Sequence, residues 1–189
     1  MVPIGVPLVL AALLAAGGAE PAADPVRPEE EFAAFVRPDL GFSVRYPRGW
    51  DVWVQGPSAW EARSLGWRVS FVGRPLPPLA AEPFRPVVFV ERFPRMGMTL
   101  PQYVAAHQEV ARRDERGYRP VAAGPVGGGE RYRLEETYEF NGTPMRKQTL
   151  FVRDGDGVFH VTAVAPESDW REDRHRFEGS LTSFVLLPR

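Results

Sequence analysis

Residues 130–165 read ERYRLEETYEFNGTPMRKQTLFVRDGDGVFHVTAVA, and the fold class follows from them. Tyr132, Leu134, Tyr138 and Phe140 alternate with Arg131, Arg133, Glu135, Thr137 and Glu139, the period of a strand with one buried face. Asn141-Gly142 breaks the pattern, and both residues tolerate the positive φ that a type I′ hairpin turn demands. Met145–Arg153 then returns, Asp154-Gly155-Asp156-Gly157 turns again, and Val158–Ala165 supplies a third strand. Turns this short force neighbouring strands to run antiparallel.

Upstream, Phe42, Val44 and Tyr46 alternate with Ser43 and Arg45, and Pro47-Arg48-Gly49 makes a turn. Trp50, Val52 and Val54 then alternate with Asp51, Trp53 and Gln55. Trp67–Val72 and Val87–Arg92 read as two more strands, separated by the proline-rich connector Arg74–Pro86. The period changes at Thr99-Leu100-Pro101-Gln102, a capping box with proline where its missing N–H costs nothing. Leu100, Tyr103, Val104, His107, Val110 and Ala111 then follow helical spacing, and Gly117 is the expected stop. A last helix opens at Ser168 or Asp169, with Trp170, Phe177, Leu181 and Phe184 as its apolar stripe. The fold class predicted is α+β: a twisted antiparallel sheet packed by helices.

The chain has 189 residues, 44% hydrophobic and 25% charged, with a formal net charge of −1. That composition suits one globular domain and disfavours nucleic acid, whose binding draws on an excess of basic groups. With no cysteine, disulfides, thiolate metal sites, a cysteine nucleophile and a lipid anchor on cysteine are all excluded. Arginine outnumbers lysine 22 to one, as GC-rich bacterial coding would produce, so lysine chemistry could rest only on Lys147.

Residues 1–19 carry no charged side chain, run apolar from Leu8 to Ala16 and end in Gly17-Gly18-Ala19. This matches a signal peptide, although the leader lacks a basic residue before its apolar run. The predicted organisation is a signal peptide over 1–19, a flexible tether over 20–38 and a single domain over 39–189. Phe32, Phe35 and Val36 are expected to form a short helical turn at the tether's end. Export to the periplasm or medium follows, with membrane anchoring by an uncleaved N-terminus as the alternative.

The run Gly41-Phe-Ser-Val-Arg-Tyr-Pro-Arg-Gly-Trp50 resembles the opening of the PsbP-like superfamily. That superfamily includes the extrinsic lumenal subunit of photosystem II, a Ran-binding nuclear import factor and exported bacterial DcrB-like proteins. The helix starting Thr99-Leu100 with Tyr103, the meander, and a closing helix ending Ser183-Phe184 are similar too, so the resemblance spans about residues 38–187. It implies an α-β-α sandwich around an antiparallel sheet and a binding or assembly role without catalysis. The chain departs from lipoprotein relatives in lacking the lipobox cysteine, and from cytosolic effector chaperones in carrying a leader.

Other constellations read as structural. His107 on the helix face reads as a partly buried structural residue, His160 as structural or half exposed, and His175 as solvated. No two histidines have zinc-site spacing. Asp154 and Asp156 lack the further oxygen ligands of a calcium loop, since Val158 and Ala165 stand where those would be. Glu136 falls on the apolar side of its strand and is expected to pair with an arginine, with a catalytic acid as the outside alternative. No nucleophile elbow is present.

The reading is therefore an exported, non-catalytic, monomeric binding or assembly protein of the bacterial cell envelope, with a protein partner there. It needs no cofactor or metal, binds no nucleic acid and keeps no stable membrane span after cleavage. Trp53, Trp60, Phe84, Met96 and Met98 are the candidate binding residues, because exposed tryptophan, phenylalanine and methionine make good anchors. The alternatives are a chaperone that holds apolar segments of other proteins, and a hydrolase with an unrecognised carboxylate site.

Overall fold

The computed structural model describes residues 31–55, 67–73 and 85–188. Strands β1 (Phe32–Arg37), β2 (Phe42–Pro47), β3 (Asp51–Gln55), β4 (Arg68–Val72) and β5 (Val87–Pro94) lead to helix α1 (Leu100–Asp114). Strands β6 (Arg119–Val126), β7 (Arg131–Phe140), β8 (Thr143–Asp154) and β9 (Gly157–Pro166) follow, then helix α2 (Glu167–Thr182) and the short β10 (Val185–Leu186). Seven strands form one antiparallel sheet in the order β3-β4-β5-β9-β8-β7-β6, and β1-β2-β10 form a second. The chain is α+β, as the alternation implies.

The small sheet and α2 cover one face of the large sheet. There Val69, Phe71, Val90, Leu150, Phe159 and Val161 meet Phe42, Phe177, Leu181 and Phe184, all buried in one core. Ring packing fixes the layer: Phe42 and Phe184 stack at 5.6 Å, and Trp170 and Phe177 at 4.8 Å. On the opposite face, α1 lays Leu100 and Val104 on Leu134, Phe151 and Val158. Strand β9 lies mid-sheet between β5 and β8, and all ten of its residues are buried.

Local signals set the turns and caps. Thr99 and Gln102 close the capping box reciprocally, and Asn141 (φ 49°) and Gly142 (φ 80°) make the β7–β8 turn. Several expectations need correction. Residues 32–37, read as the tether's end with a helical turn, form β1, which pairs with β2 from Phe32↔Pro47 to Arg37↔Phe42. Alanines and a short span hide its alternation, and β2 supplies the missing hydrogen bonds. The meander gains a further strand, β6, whose prolines and glycine are tolerated at a sheet edge. Helix α1 ends at Asp114, with Gly117 (φ 66°) in the turn beyond, and α2 begins at Glu167 without a side-chain cap.

Gly179 shows how tightly α2 sits on β1: a Cβ there would lie 2.5 Å from Cζ of Phe32. Glycine costs an exposed helix interior about 1 kcal/mol against alanine. Here the ring contact outweighs that gain. Gly179→Ala is expected to lower stability by about 1–3 kcal/mol, the usual cost of overpacking. Urea unfolding measures it, and an unchanged midpoint would mean that Phe32 yields freely.

Candidate functional site

Helix α1 covers only the β7–β8 part of its face. Among the described residues no element lies over β4 and β5 on that side, which leaves a groove of about 680 Å³ between helix and sheet. Its volume is that of a small-molecule site. Phe89, Phe93 and Val164 rise from the sheet, Ala106 and Val110 descend from α1, and Met98 joins them from the β5–α1 turn.

Register explains why these groups share the face. One row crosses the sheet as Trp53↔Ser70↔Phe89↔Thr162↔Thr149↔Leu134. The next runs Arg68↔Glu91↔His160↔Phe151, and another Val87↔Val164↔Lys147↔Glu136. Period-two alternation therefore delivers polar side chains from four strands to the floor of an apolar groove.

Each polar group on that floor has a defined setting. Arg68 holds Glu91 at 2.7 Å, and the hydroxyls of Thr149 and Thr162 bond each other at 3.1 Å. Tyr103 Oη and His160 Nε2 are hydrogen-bonded at 2.9 Å, and the rings of His107 and His160 meet edge-on, centroids 5.5 Å apart. Lys147 Nζ lies 2.6 Å from Glu115 Oε1, 3.4 Å from Glu136 Oε2 and 5.2 Å from the Tyr138 ring centroid. Tyr118 donates a short hydrogen bond to Glu136 Oε1. Four atoms here are left over: Arg95 Nε, His107 Nε2, Glu115 Oε2 and Glu136 Oε2 are buried without a hydrogen-bond partner.

Burial sets the protonation states. Loss of solvent, reinforced by the Lys147 charge and opposed by Glu115, pulls His107 down to about 4. His160 falls well below the usual imidazole range, through its own burial and then through His107 and Lys147. Both imidazoles are neutral at pH 7. Tyr138 is pushed up to about 12 by burial and by Glu115 and Glu136, and Tyr103 rises through burial and Glu91. Phenols shifted this way are poor acids, and among the described residues no serine lines the groove. Among the described residues no three His, Asp or Glu side chains gather as a metal centre requires. The groove offers apolar walls around a few hydrogen-bonding groups.

Of the residues singled out in the sequence, Met96 and Met98 line the groove, with Met96 79% exposed. Trp53 is half exposed on the same sheet face, two strands from Phe89 and outside the groove lining. Trp60 and Phe84 lie outside the described residues, as does most of the connector Arg74–Pro86. His160 is buried rather than half exposed, and Glu136 is paired by Lys147 and Tyr118 rather than by an arginine. Asp154 and Asp156 each hold Arg92 at 3.0 Å, and His175 meets Glu31 at 2.8 Å on the surface. Sequence reasoning missed the grouping of Phe89, Phe93, Glu115 and Lys147 with the two histidines. Cross-strand register and the docking of α1 bring them together.

No protein-family model matches the chain, and no curated protein matches it in sequence. Solved structures do share its fold. Cyanobacterial PsbP (CyanoP) from Synechocystis superposes with TM-score 0.59 at 12% identity, covering 89% of this chain and 98% of its own. The Saccharomyces cerevisiae Ran-binding protein Mog1p gives 0.57 at 9% identity, over 82% and 95%. LpqN of Mycobacterium tuberculosis, involved in cell envelope biogenesis, gives 0.52 at 14%, over 91% and 100%. At such identities the likeness establishes a common fold.

Proposed function

We propose that this PsbP/Mog1-like chain is an exported, non-catalytic binding or assembly protein of the bacterial cell envelope, and that it binds through the α1 side of its large sheet. The groove carries this reading: apolar walls, neutral imidazoles and paired charges suit recognition better than bond making. Trp53 and Met96, both exposed on that side, give a partner protein large adaptable anchors. Export rests on the leader over residues 1–19. Among the described residues no helix is long and apolar enough to cross a membrane. Two proteins of this fold are described by roles in Ran binding and envelope biogenesis, which supports binding over catalysis.

A photo-crosslinking side chain at Trp53 or Met96 should yield one discrete partner adduct in cells, and none from Glu172 on α2. Equal labelling from both sides, or none from either, would defeat the reading. The intact mass of the native protein in separated cell fractions tests export: a chain starting at Glu20 in the periplasm supports it, and a full-length cytosolic chain overturns it. A ladder of many adducts from Met96 would instead favour a chaperone for apolar segments, which the exposed methionine suits.

A further inference from the structure

We infer that the groove takes a free fatty acid, a single apolar chain whose carboxylate head seats on Arg95; this rests on reading the α1 side as the binding side. Val87, Phe89, Glu91 and Phe93, every second residue of β5, line the groove, and Arg95 continues the series just past the strand's end. Its backbone is held on both sides. The Arg95 N–H donates to the Asp156 carbonyl at 2.7 Å, and its carbonyl accepts from the Met98 N–H at 3.1 Å. Met96 (φ 54°) and Gly97 (φ 76°) make the tight turn between them. Arg95 is thus placed at one end of the groove in advance, which lowers the ordering cost of binding.

The charges select the head. Three cations line the groove. Glu91 holds Arg68 at 2.7 Å and Glu115 holds Lys147 at 2.6 Å, whereas Arg95 has no ion pair among the described residues. Its Nε is also buried without a partner. Asp154 and Asp156, across the turn, are both engaged by Arg92. One carboxylate balances this one guanidinium, and its two oxygens match the guanidinium fork. A phosphate monoester brings more charge than a single arginine offsets. The unbonded oxygens of Glu115 and Glu136 lie with Lys147 at the other end. Lys147 pairs with Val164 and that with Val87, eight positions back along the chain from Arg95. Eight extended residues span roughly 25 Å, about three screening lengths at physiological salt. Between the ends Phe93, Phe89, Met98, Val110 and Val164 offer carbon, and about 680 Å³ suits one acyl chain.

The test is titration calorimetry on the full chain with laurate, monolaurin, dodecylamine and dodecyl phosphate, each below its micellar concentration. Laurate should bind one-to-one and saturably, with monolaurin and dodecylamine weaker by about tenfold or more, the scale of one charge-assisted hydrogen bond. Dodecyl phosphate should bind no tighter than laurate. Arg95→Gln should bring laurate down to the level of monolaurin while circular dichroism stays native, since the guanidinium has no ion pair to lose. Arg112→Gln, a cation of α1 outside the groove lining, should leave laurate binding unchanged. Ala106→Trp fills the groove from an exposed position on α1 and should abolish it. Absence of laurate binding, equal or tighter binding of monolaurin or dodecylamine, tighter binding of dodecyl phosphate, or laurate affinity that survives Arg95→Gln would each overturn the inference. The two readings fail separately: adducts from Trp53 and Met96 without laurate binding leave the binding side standing and remove the fatty acid.

Discussion

Lys147→Met will cost about 3–5 kcal/mol, the usual loss when one partner of a buried charge pair is removed. Lys147 is 8% exposed and Glu136 is fully buried, so water cannot replace the ammonium once it is gone. Methionine keeps an apolar stem but loses the ammonium over Tyr138, and it leaves Glu136 with the Tyr118 hydroxyl and Glu115 Oε1 with nothing in place of Nζ. The penalty therefore comes from stranded carboxylates more than from lost packing. Glu136→Gln added to Lys147→Met should recover part of the loss, because an amide is cheaper to bury than a carboxylate. Urea unfolding of the wild type and both variants decides it. A single variant within 1 kcal/mol of wild type, or a double variant no better than the single, would refute the stranded-charge account.

Acid will destabilise the protein well above the range where carboxylates titrate. Burial pulls His107 down to about 4 from the usual 6.5, and His160 is displaced in the same direction. The unfolded chain therefore binds protons that the folded chain refuses. Stability from these groups is complete above about pH 6.5 and falls as pH drops toward 4. For His107 the difference amounts to about 3 kcal/mol. His160 adds to it while its bond to Tyr103 persists. Glu31 belongs to another window: although partial burial opposes it, Arg176 and His175 hold its carboxyl below 4.5, so its contribution disappears only beneath that pH. Unfolding midpoints between pH 7 and 4.5 should fall for wild type and fall less for His107→Phe. Parallel curves would show that His107 is protonated without strain.

The fold was legible where the signal is local. The Asn141-Gly142 turn, the Thr99 capping box and the alternation of β7, β8 and β9 each need only their own neighbours along the chain. Strands β1 and β6 were not legible, since each becomes a strand by borrowing hydrogen bonds from a neighbour. Of the candidate site, the individual residues were visible but their company was not. His107, His160 and Glu136 each stood out as an unusual residue in an apolar or strand setting, and Lys147 as the one lysine. Glu136 then drew the wrong partner, because nothing in the linear pattern places Lys147 opposite it in register.

Periodicity, turn chemistry and composition alone determined an antiparallel α+β domain, where its turns fall and which strand positions share a face. These properties depend on steric and hydrogen-bonding preferences within a few residues. Tertiary structure alone decided the order of seven strands, the half of the sheet that α1 leaves open, and the meeting of Lys147, Glu115, His107 and His160 beside that opening. Those depend on contacts between residues tens of positions apart, where burial and charge pairing select one arrangement among many that the same local signals allow.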